Sequence, residues 1–129
     1  MPIGYPDFAQ PLPVHMEKAV KVEAVDVDPG EEKTLYSATG PGIIPRLIIT
    51  PSDSRLVVRI YVNDELWDEF SADDLFEDGY GPNTPGYRLV RYWPQGTCVI
   101  YYEIAVAFTE KFEVKVYNPT AAVASLAMG

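Results

Sequence analysis

Residues 97–118, TCVIYYEIAVAFTEKFEVKVYN, constrain this chain more than any other stretch. Ile100, Tyr102, Ile104, Val106 and Phe108 share one parity, and Tyr101, Glu103, Ala105, Ala107 and Thr109 share the other. After a short polar break at Thr109-Glu110-Lys111, Phe112, Val114 and Val116 alternate with Glu113, Lys115 and Tyr117. Strand side chains point alternately to the two faces of a sheet, whereas a helix would scatter both sets around its circumference. The β-branched and aromatic content agrees with strand. The pattern predicts a hairpin of two strands with one face in a core, on which the rest of the chain packs.

The length of 129 residues fits one domain, which buries roughly two-thirds of the surface of its unfolded chain and needs no staple. With one cysteine there is no internal disulfide. Cys98 has the parity of its strand's apolar face and reads as a buried, inert thiol, in keeping with a reducing compartment. A net charge of −9 argues against a sequence-independent grip on nucleic acid and against docking on an anionic membrane. No apolar run approaches transmembrane length. The opening MPIGYPDFAQ has neither the basic nor the apolar region of a Sec signal peptide.

Residues 1–16, MPIGYPDFAQPLPVHM, read as an extended arm ahead of a domain spanning 17–129. Pro2, Pro6, Pro11 and Pro13 fix φ and remove donors, which leaves polyproline-like backbone with a reach on the order of 45 Å. Tyr5, Phe8 and Leu12 are its anchors, expected to dock on a neighbouring subunit. Residues 18–28 read as a long strand whose phase slips at Ala24-Val25, a bulge or a transfer between sheets. Asp28-Pro29-Gly30 suits a type II turn. Strands follow at 34–38 and, interrupted by Pro45, at 43–50.

Leu56, Val58, Ile60 and Val62 alternate with Arg55, Arg59 and Tyr61, and Asn63-Asp64 suits a tight turn because both residues tolerate positive φ. Residues 65–70 then return as the second strand of a hairpin. Ser71-Ala72-Asp73-Asp74 resembles a capping box that opens a short helix over 71–77. Residues 79–86 form a long loop, 87–93 a strand, Pro94-Gln95-Gly96 a turn, and 121–128 a final strand of small residues. About nine short strands and one helix predict an all-β antiparallel sandwich. A jelly roll is the first expectation and a Greek-key immunoglobulin-like sandwich the second.

Catalytic chemistry is poorly supplied. The single histidine, His15, sits in the proline-rich arm rather than on a rigid element, and one His with one Cys cannot make a zinc site. No glycine-rich phosphate loop opens a helix. Eight carboxylates crowd residues 64–78, with no Lys or Arg between Arg59 and Arg88. They read as a solvated acidic face or a surface for a basic partner, with a Ca²⁺ site as the alternative. Trp67 and Trp93 are expected in the core or under a covered rim. In the alternative they form, with Tyr80, a platform for stacking sugars. Tyr101 and Tyr117, outward on the expected central hairpin, are placed side by side as a subunit contact.

A proline-rich arm, the segment RLVVRIYVNDELWDEFSADDL and the closing FTEKFEVKVYNPTAAVASLAM together resemble small jelly-roll virion structural proteins of tailed bacteriophages, over residues 34–129. The resemblance implies a non-enzymatic head-decoration, neck or tail-associated part. Such a part is assembled in the host cytoplasm in many symmetric copies, with other virion proteins as partners and no cofactor, nucleic-acid contact or membrane. The competing expectation is a carbohydrate-binding module or receptor-binding tip that uses Trp67, Tyr80 or Trp93, with Ca²⁺ in the acidic segment.

Overall fold

The computed structural model describes residues 21–129. The arm 1–16, with Tyr5, Phe8, Leu12 and His15, and its boundary with the domain lie outside the described residues. Eleven strands run in chain order: β1 (Val22–Val27), β2 (Glu32–Thr39), β3 (Gly42–Ile44), β4 (Leu47–Pro51), β5 (Val57–Val62), β6 (Glu65–Phe70), β7 (Tyr87–Arg91), β8 (Val99–Tyr102), β9 (Val106–Phe108), β10 (Lys111–Tyr117) and β11 (Ala124–Met128). One helix, α1 (Ala72–Glu77), separates β6 from β7.

A five-stranded sheet has the order β1-β11-β4-β8-β7, a four-stranded sheet the order β2-β10-β5-β6, and β3 pairs with β9 as a separate two-stranded sheet. Every strand pairing among the described residues is antiparallel. The pairing is nested: β1 with β11, β2 with β10, β3 with β9, β4 with β8 and β5 with β6. This is one long hairpin, with its tip between β5 and β6, rolled up so that alternate pairs fall in opposite sheets. Rolling adds the β10-β5 and β11-β4 contacts. The architecture is a jelly-roll sandwich with β7 added at one edge.

The nested order corrects the expectation of a hairpin over 97–118. β10 does not pair with β8 or β9; all three pair with the earlier limb, β2-β3-β4. The register runs almost unbroken, with Lys111 opposite Thr39, Phe108 opposite Gly42, Val106 opposite Ile44 and Tyr102 opposite Leu47. Between Ile44/Val106 and Leu47/Tyr102, Pro45 and Arg46 face Glu103, Ile104 and Ala105, so the ribbon turns its corner with one extra residue on one side. Pro45 cannot donate to a ladder, which suits it to that corner. The polar break at Thr109-Glu110 is a second bend, bridged by the Gly40 N–H donating to the Glu110 carbonyl at 2.9 Å. Parity survives both bends: Ile100, Tyr102, Val106, Phe108, Phe112, Val114 and Val116 are all buried.

Local chemistry sets the remaining turns. Asn63 and Asp64 take φ of 52° and 68°, as a two-residue hairpin loop requires. Asn63 also ties this tip to the second bend: its Oδ1 accepts from the Glu110 and Lys111 amides and its Nδ2 donates to Thr109 Oγ1. Gly30 takes φ of 74° and the Glu31 N–H donates to the Asp28 carbonyl, the type II turn that the sequence specifies. The phase slip in β1 is a bulge between Val22 and Val25. Ser71 caps α1, its Oγ accepting from the Asp74 N–H at 3.1 Å.

Val58, Ile60, Phe112, Val114 and Val116 from one sheet meet Val27, Ile49, Ile100, Tyr102 and Leu126 from the other, each at most 1% exposed. Each such side chain contributes roughly 1.5–3 kcal/mol. Asn118, fully buried, joins the limbs: Nδ2 donates to the Val27 and Ala122 carbonyls, and Oδ1 accepts from the Thr120 N–H and hydroxyl. At the β6/β7 side the two sheets are joined through Asp68, whose Oδ2 accepts from the Tyr87 and Tyr102 hydroxyls. Phe70 stacks on Tyr102 at 5.4 Å beneath this junction.

Candidate interaction surface

The residues that suggested chemistry are dispersed. Cys98 is fully buried, and its Sγ lies 3.4 Å from the Gly96 carbonyl and 3.6 Å from that of Trp93. Burial pushes its thiol up, away from the thiolate that a nucleophile needs. The described residues contain no histidine. The carboxylates of 64–78 do not converge: Asp64 pairs with Lys111, Glu69 with Arg59, Asp68 accepts two phenols, and Asp73 accepts from the Tyr92 hydroxyl at 2.7 Å. Among the described residues no three His, Cys, Asp or Glu side chains are grouped to hold a metal ion.

Tyr101 and Tyr117 are not side by side. Tyr101 lies on β8 in the five-stranded sheet and Tyr117 on β10 in the four-stranded sheet. Their separation follows from the rolled ribbon, which sends the two ends of 99–117 to opposite layers. Each is half-buried under its own cations: Arg88 and Arg46 sit 4.7 and 5.8 Å from the Tyr101 ring, and Arg59 sits 5.0 Å from the Tyr117 ring. Arg88 also chelates Glu103, holding that carboxyl below its ordinary range.

Tyr80 is half-buried, edge-on to Tyr87 at 5.2 Å, and belongs to the inner aromatic cluster rather than to an open platform. The tryptophans are outside, contrary to the expectation of core or covered rim: Trp67 is 56% and Trp93 69% exposed. Trp67 falls where the β5-β6 register shifts on an edge strand, between Leu66 opposite Tyr61 and Asp68 opposite Ile60. Asp68 takes the inward position there to reach the two phenols. Trp93 begins the turn to β8, whose Gly96 N–H donates to the Trp93 carbonyl. A Cβ on Gly96 would fall 2.4 Å from Trp93 Cδ1, so glycine lets the indole lie over the turn.

Beside this turn, Phe76 of α1 stacks on Tyr92, with centroids 4.2 Å apart and planes within 5°. The hydrogen bond to Asp73, together with desolvation, pushes the Tyr92 hydroxyl up to about 12. Buried Ser54 ties the neighbourhood together: its carbonyl accepts from the Asp73 N–H and its Oγ from the Gln95 N–H. Arg91, Trp93 and Thr97 line an open groove of ≈ 380 Å³. No described carboxylate lies within ion-pair distance of Arg91.

Sequence reasoning missed Leu66, Phe76 and Val90 as exposed apolar residues. One signal was available for Leu66 and Trp67: two consecutive large apolar residues on a strand cannot both face one core. Leu66, Trp67, Phe76, Val90 and Trp93 are five of the seven large apolar side chains exposed among the described residues. All five come from the β6-α1-β7 segment and the turn after it. Comparison with known proteins found no matching family model and no matching curated protein.

Proposed function

We propose that this protein is a non-enzymatic assembly module, a jelly-roll part of a tailed-bacteriophage virion that works through repeated subunit contacts. The observation that carries the reading is the concentration of exposed Leu66, Trp67, Phe76, Val90 and Trp93 on β6, α1, β7 and the turn after it. Exposed aromatic and aliphatic residues gathered on one segment mark contact surfaces, and Trp is among the residues that dominate contact energy. The carboxylates interleaved with them discourage indiscriminate sticking and favour a partner of opposite charge. The resemblance of residues 34–129 to small virion proteins supplies the setting.

Light scattering on the full chain tests the reading. The full chain forms a defined oligomer, and Trp67→Ser combined with Trp93→Ser returns it to monomer without loss of β circular dichroism. A parent chain that is monomeric at every concentration, or an oligomer that ignores both substitutions, overturns it. A second reading, a carbohydrate-binding module, is favoured by one specific observation: the bare Trp93 indole beside Arg91 and Thr97 in an open groove. It predicts glycan-array binding that Trp93→Ala abolishes.

A further inference from the structure

We infer that Arg91, Trp93 and Thr97 form a binding site for a sugar acid, with the pyranose stacked on the Trp93 indole and its carboxylate held by the Arg91 guanidinium. This rests on the second reading above, carbohydrate binding, and names the ligand class of that groove. The other four arginines, Arg46, Arg55, Arg59 and Arg88, each pair with a carboxylate. Each described lysine has a carboxylate, a carbonyl or a ring as its partner. Exposed Arg91 has none of these among the described residues, on a chain where 19 Asp and Glu face 10 Lys and Arg. It is therefore free to take an anion from outside. The backbone presents it for that: Leu89, of the same parity, is buried opposite Ile100, but the register then shifts and Arg91 falls opposite Val99. Exposed Val90 is the extra residue of this bulge, which turns Arg91 from the core to the outer face.

The indole is held before any ligand arrives. The Trp93 carbonyl accepts from the Gly96 N–H at 2.8 Å, and the Trp93 N–H donates to buried Cys98 Sγ at 3.5 Å. The Gln95 N–H donates to buried Ser54 Oγ at 2.8 Å. Trp93 is thus seated on a turn tied to the core, yet it is 69% exposed. A platform fixed in advance loses less conformational freedom on binding. Trp offers a broad apolar surface to the C–H face of a pyranose. Thr97 brings to the same groove a hydroxyl that can donate or accept. The groove's volume of ≈ 380 Å³ is that of a small-molecule site. The planar guanidinium fork matches the two oxygens of a carboxylate. One guanidinium also offsets a carboxylate better than a phosphate ester, which carries about −1.5 to −2 charges near pH 7.

The full chain, titrated over a glycan array that pairs each uronate- or sialate-bearing glycan with its neutral parent, tests this. Acid-bearing glycans are expected to be retained at least about fivefold better than their parents, the upper range for an exposed ion pair. The difference is expected to shrink as salt is raised. Arg91→Gln should bring acid-bearing glycans to the level of their parents, Arg91→Lys should fall between, and Trp93→Ala should lose both. All three side chains are exposed, and unchanged β circular dichroism confirms that each variant is folded. Equal retention of acid and parent, or an Arg91→Gln variant that still prefers the acid, overturns the sugar-acid assignment and leaves carbohydrate binding standing. Acid-bearing glycans retained by Trp93→Ala place the contact outside this groove and overturn the site. A chain that retains no glycan overturns both the site and the carbohydrate reading.

Discussion

At the scale of single residues, one buried and one partly buried polar device hold the roll together. Asn118 satisfies two carbonyls and two donors from both limbs, so Asn118→Ala leaves several buried groups without partners. A loss of roughly 3 kcal/mol is expected, read from the urea midpoint. The second device is the set of phenols on Asp68 and Asp73. Desolvation, with the nearby Asp68, raises Tyr87 and Tyr102 above the ordinary phenol value of 10.0, and the hydrogen bond to Asp73 raises Tyr92 to about 12. A pKa raised by folding contributes stability that is complete below the unfolded value and lost as pH rises through the folded one. Stability is therefore insensitive to these groups below about pH 10 and falls above it, across pH 10 to about 12 for Tyr92. Absorbance titration is expected to show late-ionising phenolate from Tyr87, Tyr92 and Tyr102. Tyr102→Phe and Tyr87→Phe should each remove one late step.

At the scale of elements, the turns and the cap were legible because their chemistry is local. Asn63-Asp64, Asp28-Pro29-Gly30 and Ser71 each specify a conformation without reference to distant residues. The hairpin tip carries a direct test. Asp64 sits at φ of 68° with an exposed side chain, so Asp64→Gly should be at least as stable as the parent. Asp64→Val should lose roughly 1–2 kcal/mol to left-handed strain. Ser71→Ala should cost about 1 kcal/mol by uncapping α1, and both series are measured by urea denaturation. The central stretch was half legible. Alternation gave the right inward residues for 97–118, but alternation alone does not say which strand pairs with which. The unbroken even parity from Ile100 to Val116 was the overlooked signal of one bent ribbon. The tryptophans were misplaced for a related reason: hydrophobicity does not distinguish a core strand from an edge strand, and the β6 bulge that turns Trp67 outward depends on Asp68 finding Tyr87 and Tyr102 across the sandwich.

At the scale of the whole molecule, nesting decides how the chain must fold. The one local pair in the nest is β5 with β6, closed by two residues, and each further pair encloses a longer loop until Val22 meets Met128. Closure entropy rises with each enclosed segment, so the order of least cost starts at the Asn63-Asp64 tip and rolls outward to β1 and β11. The same topology places β6, α1 and β7, with exposed Leu66, Trp67, Phe76 and Val90, directly after that tip in the chain. Domains dominated by such non-local antiparallel pairing refold in roughly milliseconds to seconds, far slower than helical bundles. Stopped-flow circular dichroism at the β band is the suitable probe, because it reads strand formation directly while both tryptophans are exposed. Refolding on the millisecond-to-second scale is expected, with Asp64→Val slowing it and Ala124→Gly in β11 mainly speeding unfolding. Microsecond refolding, or the reverse assignment of the two substitutions, would contradict a roll that grows from its tip.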